Sequence, residues 1–336
     1  MNETPFISIC IPVYNGARYL AESIDSALSQ TYPNFEIIVI DDRSSDDSWK
    51  IIQDFAKRSN KIRAFQNKKN LGLVGNWNAC IAKAEGTWIK FLFQDDTMVS
   101  SCIHDMITCA MKSQKEFIVC EREFLIEENA SETIKEYYLR KVNRLESIHP
   151  EGGIIPSTQI CADVSKFLNV NFIGEPCSYL FKKKMTQQYG PFNAQLDQLC
   201  DYEFAARMGV NLGIFYTPKR LVHFRVHGSS TSESNHTKKK LKIQLLDNFL
   251  LAYSFRHHPH FKNLMEHHPG AIQSFYRKRV DLLFSNGFKI ALALSMPMFR
   301  FYPKLYFVFI QYLTKREFLH GLKWYRDVFK SKPPKG

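Results

Sequence analysis

Two pairs of adjacent aspartates stand just after apolar runs: Asp41-Asp42 follows IIVI, and Asp95-Asp96 follows WIKFLF one glutamine later. Carboxylates crowded at one place repel each other unless a cation lies between them, and their hard oxygens suit Mg²⁺ or Mn²⁺ bridging phosphate oxygens. Asp is also common after strands as a turn former or helix cap, so one pair alone would carry little. Two pairs at two neighbouring strand ends should look into one crevice, and they point to a nucleoside diphosphate substrate. What is missing narrows the chemistry. The first strand is followed by Pro12-Val13-Tyr14-Asn15-Gly16 and not by G-x-G-x-x-G, and no G-x-x-x-x-G-K-[ST] occurs. Hydride transfer from a dinucleotide and P-loop phosphoryl transfer both lose their main support.

The elements that must position these residues follow from two periodicities. Apolar, β-rich runs at Phe6–Val13, Phe35–Ile40, Ile62–Gln66, Trp88–Phe93 and Phe117–Cys120 predict strands. Between them, helical spacing predicts helices over Ala17–Gln30, Ser48–Arg58, about Gly75 to Ala84, and Ser101–Lys112. Strands apolar throughout, each followed by an amphipathic helix, indicate an α/β fold with a mostly parallel sheet covered on both faces. Such sheets bind ligands beyond the carboxyl ends of their strands. Residues 121–175 are less regular, with a charged, helical stretch expected from Ser131 to Leu145. Beyond them come a short strand at Ser178–Phe181, a helix from Cys200-Asp201, and a strand at Leu221–Val226 leading to His227. Arg225 and His227 alternate, so both side chains fall on one face.

These motifs, in this order, resemble the family 2 glycosyltransferases, an inverting group with the GT-A fold. The matching pieces are Ile11-Pro12-Val13-Tyr14-Asn15, Ile40 to Asp46, Asn70-Leu71-Gly72 with Asn78, Phe91 to Asp96, Asp201-Tyr202-Glu203 with Arg207, and Arg225-Val226-His227. They cover residues 6–232. The resemblance implies a nucleoside pocket built on Pro12, Tyr14, Asn15, Asp42, Asn70 and Asp95, with Asp42 accepting a hydrogen bond from the base. It implies Mn²⁺ or Mg²⁺ held by Asp96, ahead of Asp95, with His227 completing the shell. Arg225 and His227 would lie near the diphosphate, and Asp201 would be the catalytic base, with Glu203 next in order. Two positions depart from the usual pattern: Phe93 stands where many relatives have Asp, and Cys200 where they often have Glu. The implied activity is transfer of a sugar from a nucleotide sugar, a UDP-sugar first, to a saccharide or lipid-linked acceptor in cell-surface polysaccharide synthesis. The alternative is a catalytically silent sugar-nucleotide or membrane-binding scaffold.

Composition bounds the rest. The chain has 336 residues, 45% hydrophobic and 23% charged, and its eight cysteines include no C-x-x-C. Disordered and disulfide-scaffold classes are excluded, and the cysteines read as reduced, buried thiols of a cytoplasmic protein. The net charge of +12 is uneven: residues 1–237 hold 26 Lys/Arg against 28 Asp/Glu, and residues 238–336 hold 19 against 5. This divides the chain into a catalytic body, 1–237, with a nucleotide half over 1–120 and an acceptor half over 121–237, and a basic, mainly helical tail, 238–336. No nucleic-acid module is recognisable, so the charge points to an anionic membrane surface, with the enzyme peripheral at the inner face of the cell membrane. The runs Ile290–Phe299 and Leu305–Thr314 contain no charge and are too short to span a bilayer, which needs about 20 apolar residues. They would lie in the interface or pack on the body. The histidines between His257 and His268 read as a solvated or lipid-facing surface, not a zinc site.

Overall fold

The computed structural model describes residues 4–141, 144–228 and 240–285. Among them one mixed sheet of nine strands runs through the molecule. Four strands form its parallel half, in the order β3 (Ile62–Gln66), β2 (Phe35–Asp41), β1 (Ile7–Val13), β4 (Trp88–Phe91). Every residue of β1, β2 and β4 is buried, which is why these strands read as largely apolar runs. The crossovers are α1 (Leu20–Leu28), α2 (Ser48–Arg58) and α3 (Gly72–Lys83).

The other half is mixed. β8 (Tyr179–Lys182) lies between β4 and β6 (Phe117–Ile126) and is antiparallel to both. β6 pairs in parallel with β9 (Ile214–Val226), with register shifts around Glu121. β5 (Thr97–Met98) and β7 (Gly153–Ile155) add antiparallel edges to β9. β6 and β9 are therefore longer than the expected runs at 117–120 and 221–226. Among the described residues of the charged stretch 131–145, a short helix, α5 (Glu132–Glu136), is followed by one π turn at Tyr137–Lys141.

Alternation across the pleat divides the core in two. Ile7, Ile9, Ile11, Ile37 and Val39 face a cluster shared with α1, α2 and α4 (Cys102–Ser113). Cys10, Ile38 and Ile40 face the other, shared with α3, α6 (Leu145–Ile148), α7 (Ser157–Lys166), α8 (Lys184–Tyr189) and α9 (Cys200–Leu212). This second cluster also takes in α10 (Lys240–His257), α11 (Lys262–His267) and α12 (Pro269–Ser285) through Leu251, Phe255, Leu264 and Ile272, each 0% exposed. One face of residues 249–276 thus packs as core. His257, His258 and His267 are exposed, as expected of a surface, although partial burial of the His257 ring beside Tyr253 and Tyr276 lowers its pKa to about 4. The expected boundary at 237/238 lies outside the described residues, as do Ile290–Phe299 and Leu305–Thr314. No helix among the described residues is long and apolar enough to cross a membrane.

Candidate active site

A cavity of about 420 Å³ opens beyond the carboxyl ends of β1, β2 and β4. One wall is nucleotide-sized and polar. Pro12 and Tyr14 come from the end of β1, Asp42 from the end of β2, Asn70 and Gly72 from the loop into α3, and Asp95 from the loop after β4. Asp42, 2% exposed, accepts from Asn67 Nδ2 at 2.7 Å, Leu71 N at 2.8 Å and Gly72 N at 3.0 Å. Its carboxylate thereby shapes the 70–72 loop, and Asn70 Oδ1 closes that loop onto Gly72 N at 2.9 Å. Gly72 has φ +76°, a left-handed backbone that favours glycine. Gln94 clamps Tyr14 from both sides, accepting from its N at 2.8 Å and donating to its O at 3.2 Å. That clamp needs Gly16, where a Cβ would lie 2.5 Å from Gln94 Cδ.

Asp41 and Asn15 turn elsewhere. Asp41 accepts from Ser44 N and from Gln66 Nε2 at 2.8 Å, and neither it nor Asn15 lines the cavity. Asn15, at φ +50°, accepts from Ser45 N at 2.8 Å. Both brace the 41–45 loop. The expectation that both acidic pairs look into the crevice is therefore corrected: Asp42 and Asp95 do, whereas Asp41 and Asp96 lie behind them.

Asp95, Asp96, Arg225 and His227 meet in one knot. Because the strand stops at Phe91 and a turn closes with Asp96 N on Phe93 O at 3.1 Å, the acidic pair swings across towards β9. His227 Nε2 stands 3.1 Å from Asp95 Oδ2, and Arg225 N donates to Asp96 Oδ1 at 2.9 Å. Arg225 Nε donates to Asp95 O at 2.9 Å, while its terminal nitrogens meet Glu22 at 2.7 Å and Glu127 at 3.3 Å. Arg225 reaches the cavity with its charge already balanced by two carboxylates.

The resemblance implies a divalent cation. Among the described residues no three His, Cys, Asp or Glu side chains stand gathered as a ready cage. The donors still fit one. Asp96 Oδ2 is buried with no nitrogen or oxygen partner, only the Cys177 thiol beside it, and burial followed by the Asp95 charge pushes its pKa well above the carboxylate range. A hard cation beside Asp95 and His227 would satisfy that oxygen.

The opposite wall carries Asp201, in the first turn of α9. Oδ1 accepts from Tyr202 N at 2.6 Å and Oδ2 from Asn171 Nδ2 at 2.9 Å. Burial first, and then the Glu175 charge, raise its pKa to about 7, against the pull of these two donors. Glu203 has a different task. It is 1% exposed, and Arg207 grips it with Nε and Nη2, both at 2.9 Å, while also donating to the carbonyls of Gly190 and Pro191 at 2.8 Å. Glu203 is thus a structural partner, and it is burial, helped by the Glu175 charge, that offsets the pull of the helix N-terminus on Asp201.

Sequence reasoning passed over Glu175 and Gln94. Glu175 lines the cavity and is ion-paired to Arg122, which is 1% exposed and also meets Glu121 at 3.2 Å. An acidic residue between a glycine and a proline has no local signature of such a role. Only the fold brings 122, 175 and 201 together.

An α/β sheet whose acidic strand-end loops face a helix-borne carboxylate across one hollow is the arrangement that the resemblance to GT-A glycosyltransferases implies. The sequence profile of Glycosyl transferase family 2 matches residues 8–160. An uncharacterized glycosyltransferase of Haemophilus influenzae is 27% identical over 267 residues, covering 74% of this chain and 76% of that protein. Among solved structures, residues 1–349 of S. aureus TarS, in complex with UDP-GlcNAc, align with a TM-score of 0.61 at 16% identity, covering 87% of this chain and 75% of that one. The mannosyltransferase PcManGT of Pyrobaculum calidifontis, in complex with GDP-Man and Mn²⁺, aligns with a TM-score of 0.54 at 14% identity, over 98% of this chain and 89% of that one. Residues 8–160 thus carry a match to glycosyltransferase family 2, and the chain is a transferase enzyme.

Proposed function

We propose that this glycosyltransferase takes its sugar from a nucleotide sugar, a UDP-sugar first, and passes it with inversion to a hydroxyl of a saccharide or lipid-linked glycan in cell-surface polysaccharide synthesis. The observation that carries this is the single hollow with Asp42 and Asp95 on one wall and Asp201, with a pKa of about 7, on the other. The nucleoside rests between Pro12, Tyr14 and Asn70, with Asp42 towards the base and Asp95 towards the ribose. TarS in complex with UDP and with UDP-GlcNAc supports a uridine donor. Asp95, Asp96 and His227 would hold Mn²⁺ or Mg²⁺, which supplies positive charge to the departing diphosphate. Arg225 fixes the Asp95 loop and presents its guanidinium to the same region. Asp201 takes the proton from the acceptor hydroxyl as that oxygen attacks the anomeric carbon from the face opposite the diphosphate. One base and no partnered nucleophile describe a single displacement.

A screen of nucleotide sugars for Mn²⁺-dependent nucleotide release, followed by NMR of the product anomer, tests this. UDP affinity by calorimetry is expected to fall at least tenfold when the cation is removed. Equal affinity with and without it, or a retained anomer, would refute the reading.

The enzyme works from the inner face of the membrane, held peripherally. The 19 Lys/Arg against 5 Asp/Glu beyond residue 237 support this. In co-sedimentation, binding should rise with the anionic lipid content of the vesicles and weaken with salt. Indifference to both would leave the basic segment without a membrane role.

A further inference from the structure

Asp247 lies on α10, in the C-terminal segment and far along the chain from the cavity, and its side chain is 1% exposed. Its two oxygens receive three successive backbone amides. Asp197 N donates to Oδ1 and Oδ2 at 3.1 Å each, Leu199 N donates to Oδ2 at 3.0 Å, and Gln198 N donates to the same oxygen. Amides turned to one side in sequence have no strand or helix partner, and a run of them makes a nest for an anion. Here the anion is a side chain of the protein itself.

The loop so held leads straight into the catalytic wall. Asp197 and Gln198 line the cavity, Cys200 begins α9, and Asp201 follows. An apolar side chain at 247 would fill the core equally well but leave three amides unmatched, so packing alone does not call for a carboxylate there. We propose that Asp247 is a positioning residue for the transfer reaction: from the C-terminal segment it fixes the 197–199 loop, and through it the direction in which Asp201 meets the acceptor. This rests on Asp201 being the base. It also makes part of the segment beyond residue 237 a component of the active site.

The test compares the full-length wild type with Asp247→Ala and Asp247→Asn. Asparagine removes the charge as alanine does, yet keeps one acceptor oxygen, so a difference between the two variants reports position. Hydrogen exchange at amides 197–199 should be at least tenfold faster in Asp247→Ala and less accelerated in Asp247→Asn, with amides of β1 and β2 unchanged. The carboxyl carbon of Asp201, followed by NMR, should titrate near 7 in the wild type. The groups around it are Glu175, Tyr137, Tyr179 and Cys200. In Asp247→Ala the midpoint should fall by one unit or more as water reaches the carboxylate, and in Asp247→Asn by less. An unmoved midpoint in Asp247→Ala would overturn the proposal. If that variant does not fold, unaltered exchange at 197–199 in Asp247→Asn overturns it. Neither readout needs a donor or acceptor. If Asp201→Asn keeps transfer while the midpoint still moves, the base assignment has failed and the positioning of residue 201 stands.

Discussion

Asp201→Asn is expected to lower transfer by about 10²–10⁴ while leaving UDP affinity within about twofold. The base acts on the acceptor, and Asp201 stands on the wall opposite Asp42 and Asp95. With a pKa of about 7, the wild-type rate should rise tenfold per pH unit up to that point and then level, as the carboxylate becomes fully ionised. The same shift has a consequence for stability with a definite sign. The folded pKa lies above the ordinary aspartate value of 3.8, so ionisation of Asp201 opposes folding. That opposition is absent below the unfolded pKa, grows between the two values, and is complete above about 7. The melting temperature of Asp201→Asn should therefore gain on the wild type as pH rises from 4 to 8. Full transfer by the variant, or a stability difference flat with pH, would contradict these assignments. Glu203→Gln should instead show itself as lost stability, because its partner Arg207 would lose a bidentate contact.

Arg122→Met should destabilise the protein by about 3–5 kcal/mol, the cost of leaving buried carboxylates without their cation. Arg122 and Glu121 are each 1% exposed, and Glu175 completes the cluster at the cavity wall. The site is tightly built: Gly174 has φ +118°, and a Cβ there would sit 3.0 Å from Arg122 Nη1. Urea unfolding measures the effect. A loss under about 1 kcal/mol would mean that the carboxylates find water or protons in place of the guanidinium, as exposed pairs do.

What could be read from the sequence was what depends on neighbours along the chain. Asp42, Asp95 and Asp201 follow or open regular elements, and periodicity places strand ends and helix starts well enough to bring them to one rim. Asn15 and Asp41 have the right address but the wrong aim, because a loop residue's direction depends on partners such as Ser45 and Gln66 across the turn. Glu175 and Asp247 act through residues tens of positions away, and no local pattern carries that information. The segment beyond 237 shows a related limit. Net charge sums over all faces of a helix, so the +14 balance concealed Leu251, Phe255 and Leu264, which are wholly buried.

The place of β8 in the sheet bears on how the chain is made. β4 and β6 do not touch as neighbours; β8 slots between them, and it is synthesised about 90 residues after β4 ends. At roughly 5–20 residues per second, the open edge of β4 waits about 5–18 s and that of β6 about 3–11 s before their shared partner arrives. Unpaired apolar edges invite pairing with other chains. The parallel half can assemble early, but the sheet closes late, so heterologous expression should yield more folded enzyme when a chaperone that shields nascent strands is abundant.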